Sequence, residues 1–237
     1  MEPMRFLVTD VESSSRVSGR LISGQINKED SVVTAPSGHQ TSILAMEANG
    51  AEYTSMDAEA DLNLDLTYSV NMNPGDILAA ADLRPEFTDQ FEAQIAWQGE
   101  QELLPGRTYR LQAIGGESEA TVSRLKYRVD VETNQQIAAK TLSNNETGVA
   151  NIALTCPIVY DSASICPATG IFTLYEKDSD TIVAAGGIRH GLRRASNVHW
   201  QALDVDKQTR AAIKPVSYTH LRAHETEADL VCRLLLE

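Results

Sequence analysis

Gln90-Phe-Glu-Ala-Gln-Ile-Ala-Trp97 places Phe91, Ala93, Ile95 and Trp97 on one side and Gln90, Glu92, Gln94 and Ala96 on the other. A period of two is the signature of a strand with one buried face. Leu104-Pro-Gly-Arg107 then reads as a turn, because proline presets φ and glycine accepts positive φ. Tyr109 to Gln112 leaves that turn as a strand. Thr121 to Val131 alternates again through Val122, Leu125, Tyr127, Val129 and Val131, with one slip between Val122 and Leu125. Val149 to Leu154, Ile171 to Tyr175 and Thr181 to Ile188 complete the series.

The same pattern runs towards the N-terminus. Asn73-Pro-Gly-Asp76 is a turn leading into Ile77 to Ala81, and Leu62, Leu64 and Leu66 alternate with Asn63 and Asp65. Thr41 to Glu47, Ser31 to Ala35, Arg16 to Ser23 and Arg5 to Thr9 are further strands, with turns at Pro36-Ser-Gly38 and Glu12 to Ser15. No amphipathic helix of 10–15 residues separates them, so short strands and Gly/Pro turns predict an all-β chain of barrels or sandwiches. Two β-domains are expected, 1–85 and 86–190, meeting near Arg84-Pro85. Residues 191–214 turn polar and basic and read as a linker with a short helix from Asp204 to Ile213. Residues 215–237 form a separate tail.

Of the 237 residues, 42% are hydrophobic and 22% charged, a globular composition. The net charge of -13 is uneven: residues 1–190 hold 13 Lys/Arg against 27 Asp/Glu, whereas residues 191–214 hold 5 against 2. An acidic body repels phosphate backbones, so no nucleic-acid partner is expected. No apolar run approaches the roughly 18–20 residues of a membrane helix, so no membrane partner is expected either. The N-terminus carries no basic stretch followed by an apolar one, and no secretory signal is read there. Cys156, Cys166 and Cys232 show no zinc spacing and fit a reducing, cytoplasmic compartment.

Asn27-Lys-Glu-Asp30 matches the N-K-x-D guanine-recognition motif of GTPases letter for letter, but no G-x-x-x-x-G-K-[ST] phosphate loop exists in the chain. Lying between two strands, it is expected to be a turn. Gly115-Gly116 and Gly186-Gly187 open no helix and are expected at hairpins or bulges. Of His39, His190, His199, His220 and His224 only the last pair is close, at i and i+4, which makes no metal set. No nucleophile has a base at a recognisable spacing, so no catalytic, cofactor-binding or metal residue is assigned. Arg124, Lys126 and Arg128 alternate along one strand and form a candidate docking stripe for an acidic partner or a nucleotide; the competing reading is a solvated strand face.

Several of these segments resemble a known family. Gly19-Arg-Leu-Ile-Ser-Gly-Gln-Ile26, Asp30-Ser-Val-Val33 and Pro36-Ser-Gly38 look like the first hairpin of the second domain in translation-factor GTPases, which usually carry Gly-Asp where this chain has Glu29-Asp30. Pro74-Gly-Asp-Ile-Leu78, Asp89-Gln-Phe-Glu-Ala93, Leu104-Pro-Gly-Arg-Thr-Tyr109, Ala120 to Thr133 and Asn145-Glu-Thr-Gly-Val-Ala150 resemble the large, GTPase subunit of sulfate adenylyltransferase. Arg194-Ala-Ser-Asn-Val-His-Trp-Gln201 is similar to the junction that joins this subunit to adenylylsulfate kinase in bifunctional forms.

Over residues 5–214 the resemblance implies two consecutive translation-factor-type β-barrels and a linker. In that family GTP hydrolysis drives transfer of an adenylyl group from ATP to sulfate, and a separate small subunit carries out the transfer. GTP, ATP and Mg would belong to the parent enzyme, with no cofactor in this region. The implied partners are the small subunit and the parent's own GTPase and kinase domains, neither of whose phosphate loops is present here. The implied role is scaffolding and relay of the nucleotide state. The chain is then expected to be a fragment whose Met1 was internal to the parent. Its tail, Pro215 to Glu237, is similar to translated sequencing-adapter ends and is expected to be non-native. The rival readings are RNA- or ribosome-binding barrels of a translation factor, and a stand-alone β-barrel adaptor.

Overall fold

The alternating apolar residues Leu62, Leu64 and Leu66, and Phe91, Ala93, Ile95 and Trp97, become buried residues of two strands. The computed structural model describes residues 2–130, 132, 133 and 135–192, so the predicted linker helix, the tail, Val131 and Cys232 lie outside the described residues. Nine strands come first: β1 (Arg5–Ser13), β2 (Arg16–Ser23), β3 (Gln25–Asn27), β4 (Ser31–Ala35), β5 (Gln40–Ala48), β6 (Ala51–Tyr53), β7 (Ser55–Asp57), β8 (Ala60–Leu66) and β9 (Ile77–Ala80). Seven more follow: β10 (Glu86–Trp97), β11 (Thr108–Ala113), β12 (Gly116–Val129), β13 (Gln136–Ile137), β14 (Thr147–Tyr160), β15 (Ile171–Glu176) and β16 (Ile182–Gly191), with one short helix, α1 (Pro167–Gly170).

The first sheet runs β4-β9-β1-β2-β8-β5 and closes when β5 returns to β4, leaving β6 as a flap. The second runs β11-β15-β16-β10-β14-β12 and closes when β12 pairs with β11, with β13 appended. Both are closed six-stranded antiparallel barrels, and closure removes the unpaired edges that invite aggregation. Phe6, Val17, Leu21, Met46 and Leu64 fill the first barrel, and Phe91, Ile95, Trp97, Tyr109, Ile152 and Phe172 fill the second. The all-β expectation holds.

The strands outrun the apolar pattern. β14 continues past Leu154 to Tyr160, β12 begins at Gly116, and the expected turn from Glu12 is strand up to Ser13. Gly115 does turn a hairpin, and a Cβ there would lie 1.7 Å from the Val159 carbonyl oxygen, so the backbones meet closely. Gly186 and Gly187 are neither hairpin nor bulge residues: both lie inside β16, opposite Ile95 and Gln94. Gly186 is required by packing, since a Cβ would stand 2.5 Å from the Phe172 ring.

Four connections share one turn chemistry. Their third residue has positive φ: Glu29 (72°), Gly75 (97°), Gly106 (90°) and Asn145 (64°). In three of them the fourth residue is acidic and accepts from the backbone N–H of the first: Asp30 from Asn27 at 2.8 Å, Asp76 from Asn73 at 2.9 Å and Glu146 from Ser143 at 2.8 Å. Asn27-Lys-Glu-Asp30 is therefore a turn closed by its own aspartate. It keeps the left-handed geometry without glycine, at the steric cost that Cβ imposes there.

The two barrels form one compact unit. Ala35, Ile77 and Val159 pack together between them with Leu7 alongside. Beside this patch Arg5 donates through Nε and Nη2 to the two carboxylate oxygens of Asp161, each at 2.8 Å, and Thr169 donates to the same carboxylate at 2.6 Å. Arg5 is 1% exposed and Asp161 7%.

Candidate docking surface on the second barrel

Strict alternation along β12 would point Arg124, Lys126 and Arg128 the same way. Two register shifts interrupt its pairing with β14, between Val122 and Arg124 and between Leu125 and Tyr127. Each bulge feeds one extra residue into β12, Ser123 and then Lys126. Val122 and Leu125 consequently both reach the core although three residues apart, which is the slip visible in the sequence. All three cations still lie outside the barrel, but in different states.

Lys126 reaches across β14 to Glu92 on β10 and donates to its Oε2. β16 has a bulge of its own opposite Glu92 and Ala93, which inserts Arg189 between Ile188 and His190. Arg189 and His190 are both thereby brought to Glu92: Arg189 Nη1 donates to Oε1 at 3.1 Å, and His190 Nε2 stands 4.0 Å from Oε2. Arg189 Nη1 also donates to the Tyr127 hydroxyl at 3.0 Å. Glu92 faces away from the barrel core, yet these long side chains leave it only 5% exposed. Burial pushes the Glu92 carboxyl up, but Lys126, His190 and Arg189 outweigh it and hold the group below the ordinary glutamate range.

Arg128 is tied to Glu146, the acid that closes the Ser143–Glu146 turn. The Ser143 N–H lowers the Glu146 carboxyl, burial opposes it, and Arg128 lowers it further. Arg124 is exposed and has no hydrogen-bond or ion-pair partner among the described residues. Between Arg124 and Glu92 lies Asn151, paired across the sheet with both, whose buried Oδ1 has no hydrogen-bond partner among the described residues. The stripe thus comprises one open cation, one cation pinned to a buried carboxylate and one pinned to a turn. Glu92 and Arg189, which the sequence did not single out, join it, as does His190, which the sequence weighed only as a metal ligand. The first barrel differs: there Arg16 alone serves Glu12, Glu47 and Asp65 at 3.1–3.3 Å.

The other motifs stay apart. His39 sits in the turn after β4, near Ser37, and His199, His220 and His224 lie outside the described residues. No group of three or more His, Cys, Asp or Glu could hold a metal among the described residues. Cys156 is exposed and Cys166 buried. No described helix is long and apolar enough to cross a membrane.

The second barrel matches the family described as GTP-eEF1A C-terminal domain-like over residues 90–189. The bifunctional enzyme NodQ of Rhizobium sp. (strain N33) is 39% identical over 197 residues, 83% of this chain and 30% of that protein. Sulfate adenylyltransferase subunit 1 of Aeromonas salmonicida is 25% identical over 210 residues, 81% of this chain and 45% of that protein. The chain is homologous to the sulfate adenylyltransferase large subunit. It spans about a third of the bifunctional relatives and less than half of the subunit 1 relative. Among solved structures, Sup35 complexed with GDP superposes with a TM-score of 0.68 at 19% identity, covering 81% of this chain and 48% of that one. That likeness extends the translation-factor fold to both barrels. The basic cluster of the sulfate adenylyltransferase homologue lies wholly on the second of them.

Proposed function

We propose that these barrels are the non-catalytic scaffold of a GTP-dependent sulfate adenylyltransferase, the cytoplasmic enzyme that makes adenylylsulfate and pyrophosphate from ATP and sulfate. They hold the small subunit and relay the state of a GTPase domain. The observation that carries this reading is the homology over 83% of the chain to a bifunctional relative. In the bifunctional parent an adenylylsulfate kinase would follow the linker. GTP, ATP and Mg act elsewhere in such an enzyme, and no described residue is given a catalytic role.

Arg124, Lys126 and Arg128 are the docking stripe for the small subunit in this reading. A single open arginine beside two internally balanced cations suits a protein carboxylate better than a run of phosphates, which needs several unneutralised charges. The relay is carried by rigidity. The buried Arg5–Asp161 pair and the patch around Val159 make the barrels move as one body, so a push on either reaches the other.

Two binding measurements on the full chain separate the readings. The small subunit should bind in pull-down, and tRNA should not be retained in filter binding at physiological salt. Tight, salt-sensitive tRNA retention would instead point to translation-factor barrels, and failure of the pull-down would favour the stand-alone adaptor.

A further inference from the structure

A groove of about 800 Å³ runs over the outer face of β10 and β16. Small residues make up much of its floor: Ala96 lies opposite Ala185, and Gln94 opposite Gly187, with Thr147 beside them. The loop at Ser162–Ser164 forms one wall, fixed by the Ala163 N–H donating to the Ile188 carbonyl at 2.8 Å. Gly187 lets that loop lie close, since a Cβ there would meet the Ala163 Cβ at 3.0 Å. Ile171 stands on the rim, 52% exposed.

The groove's charge runs against that of the molecule. The chain carries -13 overall, yet no carboxylate lines the groove, and its ionisable lining residues are Arg189 and His190 at one end. Arg189 spends only Nη1 on Glu92 and Tyr127, which leaves the donors on Nε and Nη2 for a ligand. Strand addition is impossible here, because β10 and β16 already have neighbours on both sides. A guest must lie across the face, with small apolar side chains over Ala96 and Ala185 and a carboxylate at the cationic end. A nucleic acid would find one arginine for its phosphates and no exposed aromatic for its bases in this groove.

We propose that this groove is a docking site for an extended segment of a partner protein in which an acidic residue adjoins small apolar ones. The site borders the β12 stripe, sharing Arg189 and His190 with the Glu92 cluster, and stands whichever enzyme the barrels serve.

The test is an amide-shift titration of the full chain with two peptides, Asp-Ala-Val-Ala-Val and Lys-Ala-Val-Ala-Val, each acetylated at the N-terminus and amidated at the C-terminus so that the aspartate is the one carboxylate offered. The aspartyl peptide should shift Gln94, Ala96, Ala185, Gly187 and Arg189 and bind about tenfold more tightly than the lysyl one, the range of one charge-assisted hydrogen bond. Ala185→Trp, which fills the floor without touching the Glu92 cluster, should abolish these shifts; Arg189→Gln should remove the preference for aspartate. Equal binding of the two peptides, or shifts centred on Arg124 and Arg128, would overturn the proposal. So would groove shifts that appear on concentrating the protein without peptide, which would make a second copy the occupant. None of these results depends on whether the small subunit binds.

Discussion

Tyr109 and Tyr160 are both buried in the second barrel, but their hydroxyls fare differently. The Tyr109 hydroxyl has no hydrogen-bond partner among the described residues, and burial pushes its phenol up. The Tyr160 hydroxyl donates to Glu86 at 2.6 Å, and burial together with that carboxylate raises its phenol well above the ordinary range. Tyr109→Phe should therefore be neutral or stabilising by up to about 1 kcal/mol, while Tyr160→Phe should cost about 1 kcal/mol, because only the second loses a bond. Urea midpoints for the two variants decide this, and the reverse order would contradict it. Glu92 sets the pH response at this scale. Its carboxyl is depressed in the folded state, so its contribution is present above the ordinary glutamate value and lost as the pH falls through the folded one. Lys126→Met should destabilise the chain at neutral pH and flatten the loss of stability as the pH falls below the ordinary glutamate value, read from denaturation midpoints.

At the scale of elements the sequence was most legible where neighbours in the chain decide the outcome. Gln90 to Trp97 reads as a half-buried strand because its period is local, and Pro74-Gly and Pro105-Gly read as turns because φ is set residue by residue. Bulges are less visible: the slip between Val122 and Leu125 betrayed one, but nothing near Arg189 announces another, since it depends on the register with β10. The convergence of Lys126, Arg189 and His190 on Glu92 joins three strands spread over about a hundred residues, so no local pattern contains it. Gly186 misled for a similar reason, its requirement coming from the Phe172 ring on a neighbouring strand. The turn at Asn27–Asp30 yields a prediction of its own. Glu29 holds φ at 72° and uses its backbone N–H, which glycine also has, to donate to Ile43. Glu29→Gly should stabilise the chain by about 0.5–1 kcal/mol through relief of that strain, and Asp30→Ala should cost about 1 kcal/mol by opening the turn. A destabilised Glu29→Gly would show that the turn is unstrained.

Across the whole molecule, the proposed relay depends on whether the barrels part. Arg5 and Asp161 are 156 residues apart in sequence and both nearly inaccessible, so neither is informative until the fold joins them. Arg5→Met leaves the Asp161 carboxylate buried without its cation and should cost about 3–5 kcal/mol, much of it recovered in Arg5→Met/Asp161→Leu. A double-mutant cycle in denaturant measures this. A coupling near zero would mean that the barrels are joined by the apolar patch alone. The most direct test of the central claim is the affinity of the full chain for the small subunit of sulfate adenylyltransferase, with and without Arg124→Glu/Arg128→Glu. A complex that weakens with salt and loses at least about tenfold in affinity on charge reversal is the predicted result. No complex, or one indifferent to both, would contradict the assignment of this surface.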